Sequence, residues 1–262
     1  MKRLSLLYLY FLASFSYAQS DCSTLTISGP AEYPPYLWQA KLPSTEVKGA
    51  SFTMLEYLTE KSGLQFQMIY TGSWARTQME LESGSLVMLT GLFYNDERAK
   101  VMDFLQPAYA QSNARIWVHK DQEKNISSLE QLQKLQGATQ IGFSLGRTFD
   151  NYAKENLQLS RVRSITQAFK MLESKRVDYV AYEEQPGIAI LNGMGSVAKH
   201  LKMLPMDISS EGIYLSVAKK SACNKPEVIE PIQKALRELN KTQTMEKLVQ
   251  EAQAQWKAES IK

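Results

Sequence analysis

Apolar positions along this chain follow two periods that alternate with each other. The short runs "LTIS" (25–28), "FQMIY" (66–70) and "LVMLTG" (86–91) read as strands, the last of them buried. Between them, "SFTMLEYLTEKSG" (51–63) sets Phe52, Leu55 and Leu58 on one side of a helix. Ser51 is its candidate cap and Gly63 its stop. A second helix is expected over "ARTQMELESG" (75–84). The same order restarts with "TQIGFS" (139–144) as a strand, "TFDNYAKEN" (148–156) and "TQAFKMLESK" (166–175) as helices, and "VDYVAY" (177–182) as a strand. Extended segments "NARIWV" (113–118) and "GIYLSVAK" (212–219) lead out of the first set and back into it. The tail holds a helix that starts near Pro226 and carries Val228, Ile229, Ile232, Leu236 and Leu239, then one containing Met245, Leu248 and Val249. This alternation predicts an α/β protein with mainly parallel sheets. "LESGSLVMLT" (81–90) also echoes "LESKRVDYVA" (172–181), as two lobes built on one scheme would.

The first eighteen residues stand outside this pattern. Lys2 and Arg3 precede the apolar run "LSLLYLYFLASF", and Ser16-Tyr17-Ala18 offers small residues for cleavage after Ala18. Residues 1–18 are therefore expected to be a signal peptide, with export to the periplasm. Cys22 lacks the apolar, small-residue context of a lipidation site. Removing the segment leaves about 244 residues, room for one large domain or two ordinary ones, and lowers the formal net charge from +3 to +1. Such a balance offers no footprint for nucleic acid. Only two histidines, His119 and His200, and two cysteines, Cys22 and Cys223, are present, so neither a metal site nor a cofactor is expected.

The densest polar knot, Asn95-Asp96-Glu97-Arg98, sits inside "GLFYNDERAKVMDFLQPAY" (91–109), straight after the strand at 86–91. With its neighbours it carries a family resemblance. The opening strand with "EYPPY" (32–36), "ESGSLVMLTG" (82–91), "DERAKVMDFLQPAY" (96–109), "QIGFSLGRTF" (140–149), "RVDYVAYEE" (176–184) and "GIYLSVAKK" (212–220) occur in order. Together they resemble the periplasmic solute-binding proteins of the amino-acid-binding type (bacterial extracellular solute-binding family 3, type 2 periplasmic-binding fold). The resemblance implies two α/β lobes, a two-stranded hinge and a ligand closed between the lobes. Lobe 1 is expected over 19–112 and 212–262, and lobe 2 over 113–211. It also implies that Cys22 and Cys223 pair, because the chain returns to the first lobe near residue 212.

In the resembled family the arginine of this knot binds the ligand's α-carboxylate, which gives Arg98 that role. A planar guanidinium can donate two parallel hydrogen bonds to a carboxylate and keeps its charge. "SLGRTF" (144–149) puts Gly146 in a turn and Thr148 at a helix start, where free N–H groups suit a carboxylate. Glu183, at the end of a strand, is expected to take the ligand ammonium. Glu184 is the competing candidate, and alternation puts it on the opposite face. Tyr33 and Trp74 match aromatic positions that flank the ligand, and Gly91 and Phe93 lie beside it. Arg76, at a helix start, serves either a further anionic ligand group or an ion pair. Arg147 faces either the cleft or solvent.

Three departures mark a divergent member. Phe93 stands where these binders have Ser or Thr, Leu86 replaces an aspartate, and Ser51 and Thr53 occupy the places of two aspartates. The implied function is capture of a small zwitterion, an amino acid or derivative, by a monomer that serves an importing permease of the ABC type or a sensor receptor. The alternatives are an enzyme on the same scaffold, resembling the cyclic-acid dehydratases, and an orphan signalling module.

Overall fold

The computed structural model describes residues 22–40, 46–122 and 126–260; the expected signal peptide lies outside them. The chain opens with β1 (Thr24–Ser28) and a small antiparallel sheet of β2 (Glu32–Tyr33), β3 (Leu37–Gln39) and β4 (Val47–Lys48). It continues through α1 (Ala50–Ser62), β5 (Gln65–Met68), α2 (Trp74–Ser83), β6 (Met88–Leu92), α3 (Asp96–Ala99) and β7 (Met102–Phe104). Strand β8 (Ala110–His119) leads to β9 (Gln136–Gln140), α4 (Arg147–Asn156), β10 (Gln158–Val162), α5 (Ile165–Glu173), β11 (Tyr179–Glu183), α6 (Glu184–Gly193) and α7 (Ser196–His200). The long β12 (Leu201–Ala218) returns, and α8 (Pro226–Lys241) and α9 (Thr244–Ser260) follow.

The strands run in the order β10-β9-β11-β8-β12-β6-β1-β5, with β7 also on β12. In one half β1 lies parallel to both β5 and β6; in the other β9 lies parallel to β10 and β11. The two halves meet at the antiparallel pair β8–β12, the two strands that pass between them. The result is a two-lobed α/β fold with parallel sheets flanked by helices.

Local chemistry places most element ends where the sequence puts them. Gly63 and Gly84 stop α1 and α2 in the left-handed conformation, at φ 75° and 84°. Ser73 and Ser164 cap α2 and α5 by accepting from the N–H groups of Arg76 and Gln167. Helix α8 starts at Pro226 and buries Val228, Ile232, Leu236 and Leu239. Other expectations are corrected. The N-cap of α1 is Gly49, while Ser51 is buried in the first turn with its hydroxyl 3.2 Å from that of Tyr109. The strand expected over 139–144 ends at Gln140, because the chain turns through Gly142 at φ 73°. The return strand is far longer than 212–219.

Cys22 and Cys223 form a disulfide with Cα atoms 5.6 Å apart, tying the entry to β1 to the turn before α8 across 201 positions of sequence. No helix among the described residues is long and apolar enough to cross a membrane.

Candidate functional site

Asn95 turns the polar knot into a single helical turn. Its side-chain oxygen accepts from the Arg98 N–H at 2.8 Å, and this cap leaves Asp96 and Glu97 exposed while Arg98 points inward, 7% exposed. The guanidinium then spans the two lobes. Nη1 donates to the Phe93 carbonyl at 2.8 Å and Nη2 to the Gly142 carbonyl at 3.0 Å. Its Cζ lies 5.9 Å from the centre of the Trp74 ring, within cation–π range. Burial lowers the Arg98 pKa to about 10, so the group remains charged at neutral pH.

Two further donors converge on the same Gly142 oxygen: Trp74 Nε1 and Gln78 Nε2, each at 3.1 Å. Both side chains come from α2, which Ser73 caps so that Trp74 and Thr77 face inward. The same cap sends Arg76 outward. Arg76, expected among the ligand-binding residues, is 71% exposed and pairs with Glu80 one turn on at 3.0 Å. Of its two expected roles, the ion pair is the one observed.

Glu183 closes β11 and is 1% exposed. Its Oε2 accepts from Tyr33 Oη at 2.6 Å and from Ser112 Oγ at 2.5 Å, so the first lobe, the strand β8 and the second lobe meet at one carboxyl. Burial raises the Glu183 pKa to about 7 against the opposing pull of these two hydrogen bonds and the Arg98 charge. Burial and the neighbouring Glu183 push the Tyr33 hydroxyl far up, which keeps it a donor. Glu184, the first residue of α6, faces the other way and pairs with Arg115 at 2.9 Å.

Aromatic rings close round this carboxyl. Tyr33 stacks on Tyr36 with centroids 5.1 Å apart and meets Phe143 edge-on at 6.4 Å, and Phe143 packs on Tyr182 at 5.0 Å. Gly91, at φ 80°, lies against Tyr33 and Pro30, where a Cβ would come within 3.0 Å of the proline ring. Phe93 is buried and contributes its carbonyl, not its ring, to Arg98. A polar chamber of about 530 Å³ between the lobes reaches Arg98, with Asn95, Gly142, Arg147, Asp150 and Arg161 among its walls.

The structure thus gathers Tyr33, Trp74, Gly91, Phe93, Arg98 and Glu183. Thr148 stays apart, exposed in the first turn of α4, whose N-cap is Gly146. Arg147 is exposed and faces Asp96 of the first lobe at 3.6 Å. Sequence reasoning missed Ser112, Gln78, Gly142 and Phe143. Ser112 was within reach, since the buried alternation Ser112, Ala114, Ile116 continues one step before the stretch read as a strand. Gly142 acts through its carbonyl, which carries no residue signature.

Two lobes joined by β8 and β12, with buried polar groups of both lobes meeting between them, define a type 2 periplasmic-binding fold. The chain belongs to the bacterial extracellular solute-binding proteins, family 3, whose model matches residues 25–254. Among solved structures, the chain is similar to an amino-acid ABC transporter substrate-binding protein from Streptococcus pneumoniae bound to L-arginine, at TM-score 0.74 and 18% identity over 92% of this chain and 97% of that one. It is also similar to a histidine kinase sensor domain, at TM-score 0.73 and 20% identity over 89% and 95%. A third, the substrate-binding protein of an amino-acid ABC transporter, gives TM-score 0.70 and 23% identity over 87% and 98%. No curated protein matches the chain.

Proposed function

We propose that the protein captures an amino acid or a close derivative between its lobes, with lobe 1 formed by 19–112 and 212–262 and lobe 2 by 113–211. One observation carries this reading: a buried arginine and a buried acid, Arg98 and Glu183, sit in one aromatic-walled cluster that joins both lobes. Arg98 has further N–H groups for a carboxylate beyond the two it uses, and Glu183 has a second oxygen for an ammonium. Tyr33, Trp74, Gly91 and Phe93 supply the walls, and lobe closure on the ligand is the signal that a membrane permease reads. The amino-acid ligands of the similar transporter proteins support the same class.

The similar sensor domain favours a second reading, in which closure informs a receptor instead of an importer. Both readings describe binding without turnover, by a protein exported to the periplasm and needing no cofactor. The test is thermal denaturation with individual amino acids, amines and organic acids. A ligand at a hundredfold excess over Kd stabilises by about 2.7 kcal/mol, enough for a shift of several degrees. No shift with any amino acid, or chemical conversion of the one that binds, sinks the proposal.

A further inference from the structure

Glu211 belongs to none of the segments that the sequence singles out, yet strand pairing brings it to the cleft. In the antiparallel pair β8–β12 it stands directly opposite Ser112. Directly opposed residues put their side chains on the same face of a sheet. The Ser112 hydroxyl identifies that face, because it donates to Glu183. A second, independent observation is the packing of the Glu211 carboxyl against Gly146. A Cβ built on Gly146 would fall 2.1 Å from Glu211 Oε1. Gly146 is the N-cap of α4, at φ 96°, and its missing side chain leaves the room that the carboxylate fills.

The charges around Glu211 do not neutralise it. Among the described residues no hydrogen bond or ion pair holds its carboxylate. Arg147 lies near enough to favour ionisation of Glu211, but the carboxylate it pairs with is that of Asp96. Asp150, also close by, is turned to Ser144 Oγ and the Leu145 N–H. Among the described residues, the cleft therefore sets the carboxyls of Glu183, Glu211 and Asp150 beside the buried cation Arg98, while the exposed Arg147 and Arg161 of the chamber wall turn to Asp96 and to the Phe143 carbonyl. A neutral zwitterion would satisfy Arg98 and Glu183 and leave Glu211 without a counter-charge.

We infer that Glu211 is a specificity-determining residue and that the ligand is a cationic amino acid or a close derivative. Its carboxylate meets Arg98, its α-ammonium Glu183, and its second cationic group Glu211. The inference rests on the amino-acid reading of the cleft and narrows it.

Calorimetry with L-arginine, L-lysine, L-citrulline, L-leucine and L-glutamate tests it on the wild type, Glu211→Gln and Glu211→Asp. Citrulline is the neutral near-isostere of arginine. The wild type is expected to bind arginine or lysine at least ~30-fold more tightly than the neutral and acidic compounds. Glu211→Gln should weaken the cationic ligand by ~10–100-fold and leave citrulline within about threefold, the scale of one charge-assisted contact. Glu211→Asp keeps the charge and should keep the preference for cations, with thermal denaturation confirming that each variant is folded. A wild type that binds leucine, citrulline or glutamate as tightly as arginine and lysine overturns this inference and leaves the amino-acid site standing. So does an arginine-to-citrulline ratio that Glu211→Gln does not change. Failure of these five compounds to bind while another amino acid does overturns the inference alone, and failure of every amino acid to bind the wild type overturns the inference and the proposed function together.

Discussion

Tyr33 donates a 2.6 Å hydrogen bond to Glu183 from 150 positions away in the chain, and the bond joins the two lobes through buried atoms. It opposes the rise in pKa that burial imposes on this carboxyl. Tyr33→Phe keeps the ring and its stacking on Tyr36 but removes the donor. The expected outcome is a loss of about 1–2 kcal/mol in stability and a further rise in the Glu183 pKa. Denaturant titration measures the first, and carboxyl titration by NMR the second. An unchanged Glu183 pKa would show that the hydroxyl does not hold this group.

The raised Glu183 pKa sets a pH dependence with an unusual sign. The unfolded carboxyl has a pKa near 4.5 and the folded one about 7, so between these values the folded state binds more protons. The contribution of Glu183 to stability therefore falls as pH rises from about 4.5 to 7, by on the order of 3 kcal/mol without ligand. Exposed acids with lowered pKa values, such as Asp121 and Glu97, pull the other way. The measurement is consequently a difference: denaturation of wild type against Glu183→Gln from pH 4.5 to 8. The variant should gain relative to wild type across that window; a flat difference contradicts the assignment.

Ligand binding tests the same carboxyl in reverse. An ammonium beside Glu183 favours its ionised form, so binding at pH 6 should release a proton, with little release at pH 8. Affinity for an amine-bearing ligand should rise with pH up to about 7 and then level off. Calorimetry in buffers of different ionisation enthalpy counts the proton directly.

Arg98→Ala should abolish ligand binding, a loss on the order of 2–5 kcal/mol, while the fold survives. Gly142 keeps its bonds from Trp74 and Gln78, so only the Phe93 carbonyl loses its partner. Arg98→Lys should fail to restore binding, since a single ammonium cannot reproduce the fork that reaches two carbonyls at once. Binding by Arg98→Ala within threefold of wild type would remove Arg98 from the site.

The Cys22–Cys223 bond closes a loop spanning 201 positions. In the chain-entropy view its removal costs up to about 5 kcal/mol, less where strain or residual unfolded structure intervenes. Cys22→Ser with Cys223→Ser should melt well below the wild type but bind the same ligand, because both cysteines lie away from the cluster around Glu183. Mass spectrometry of the unreduced protein should find no free thiol.

The architecture was legible because it rests on repeated local signals. Helix periods, the glycine stops at 63 and 84, and Pro226 at the start of α8 each specify an element without knowledge of the rest. Arg98 and Glu183 were singled out through the family resemblance, with alternation serving only to set Glu184 aside, and the structure brings both into one cluster between the lobes. What escaped depends on long-range geometry. Arg76 and Glu183 are both charged residues beside element ends, and only the helical phase that Ser73 sets sends one to solvent while the sheet buries the other. Ser112 gains its meaning from register, Gly142 from a main-chain oxygen, and Glu211 from a partner strand about a hundred residues upstream. The strand β12 was read too short because its first half carries Lys202, Asp207 and Ser209, polar residues that break the apolar pattern.

Trp74, Gln78 and Arg98 of the first lobe all grip one oxygen of the second, that of Gly142. Every amino acid carries such an oxygen, so no side-chain replacement at position 142 deletes it. What the position needs is its backbone direction, φ 73°, and the absence of a Cβ that would fall 2.6 Å from Gln78 Nε2. The acceptor of this link between the lobes is thus written in main chain, while its donors, and the Tyr33–Glu183 link beside it, are written in side chains. Substitution of any one of the three donors therefore leaves the Gly142 oxygen held by the other two.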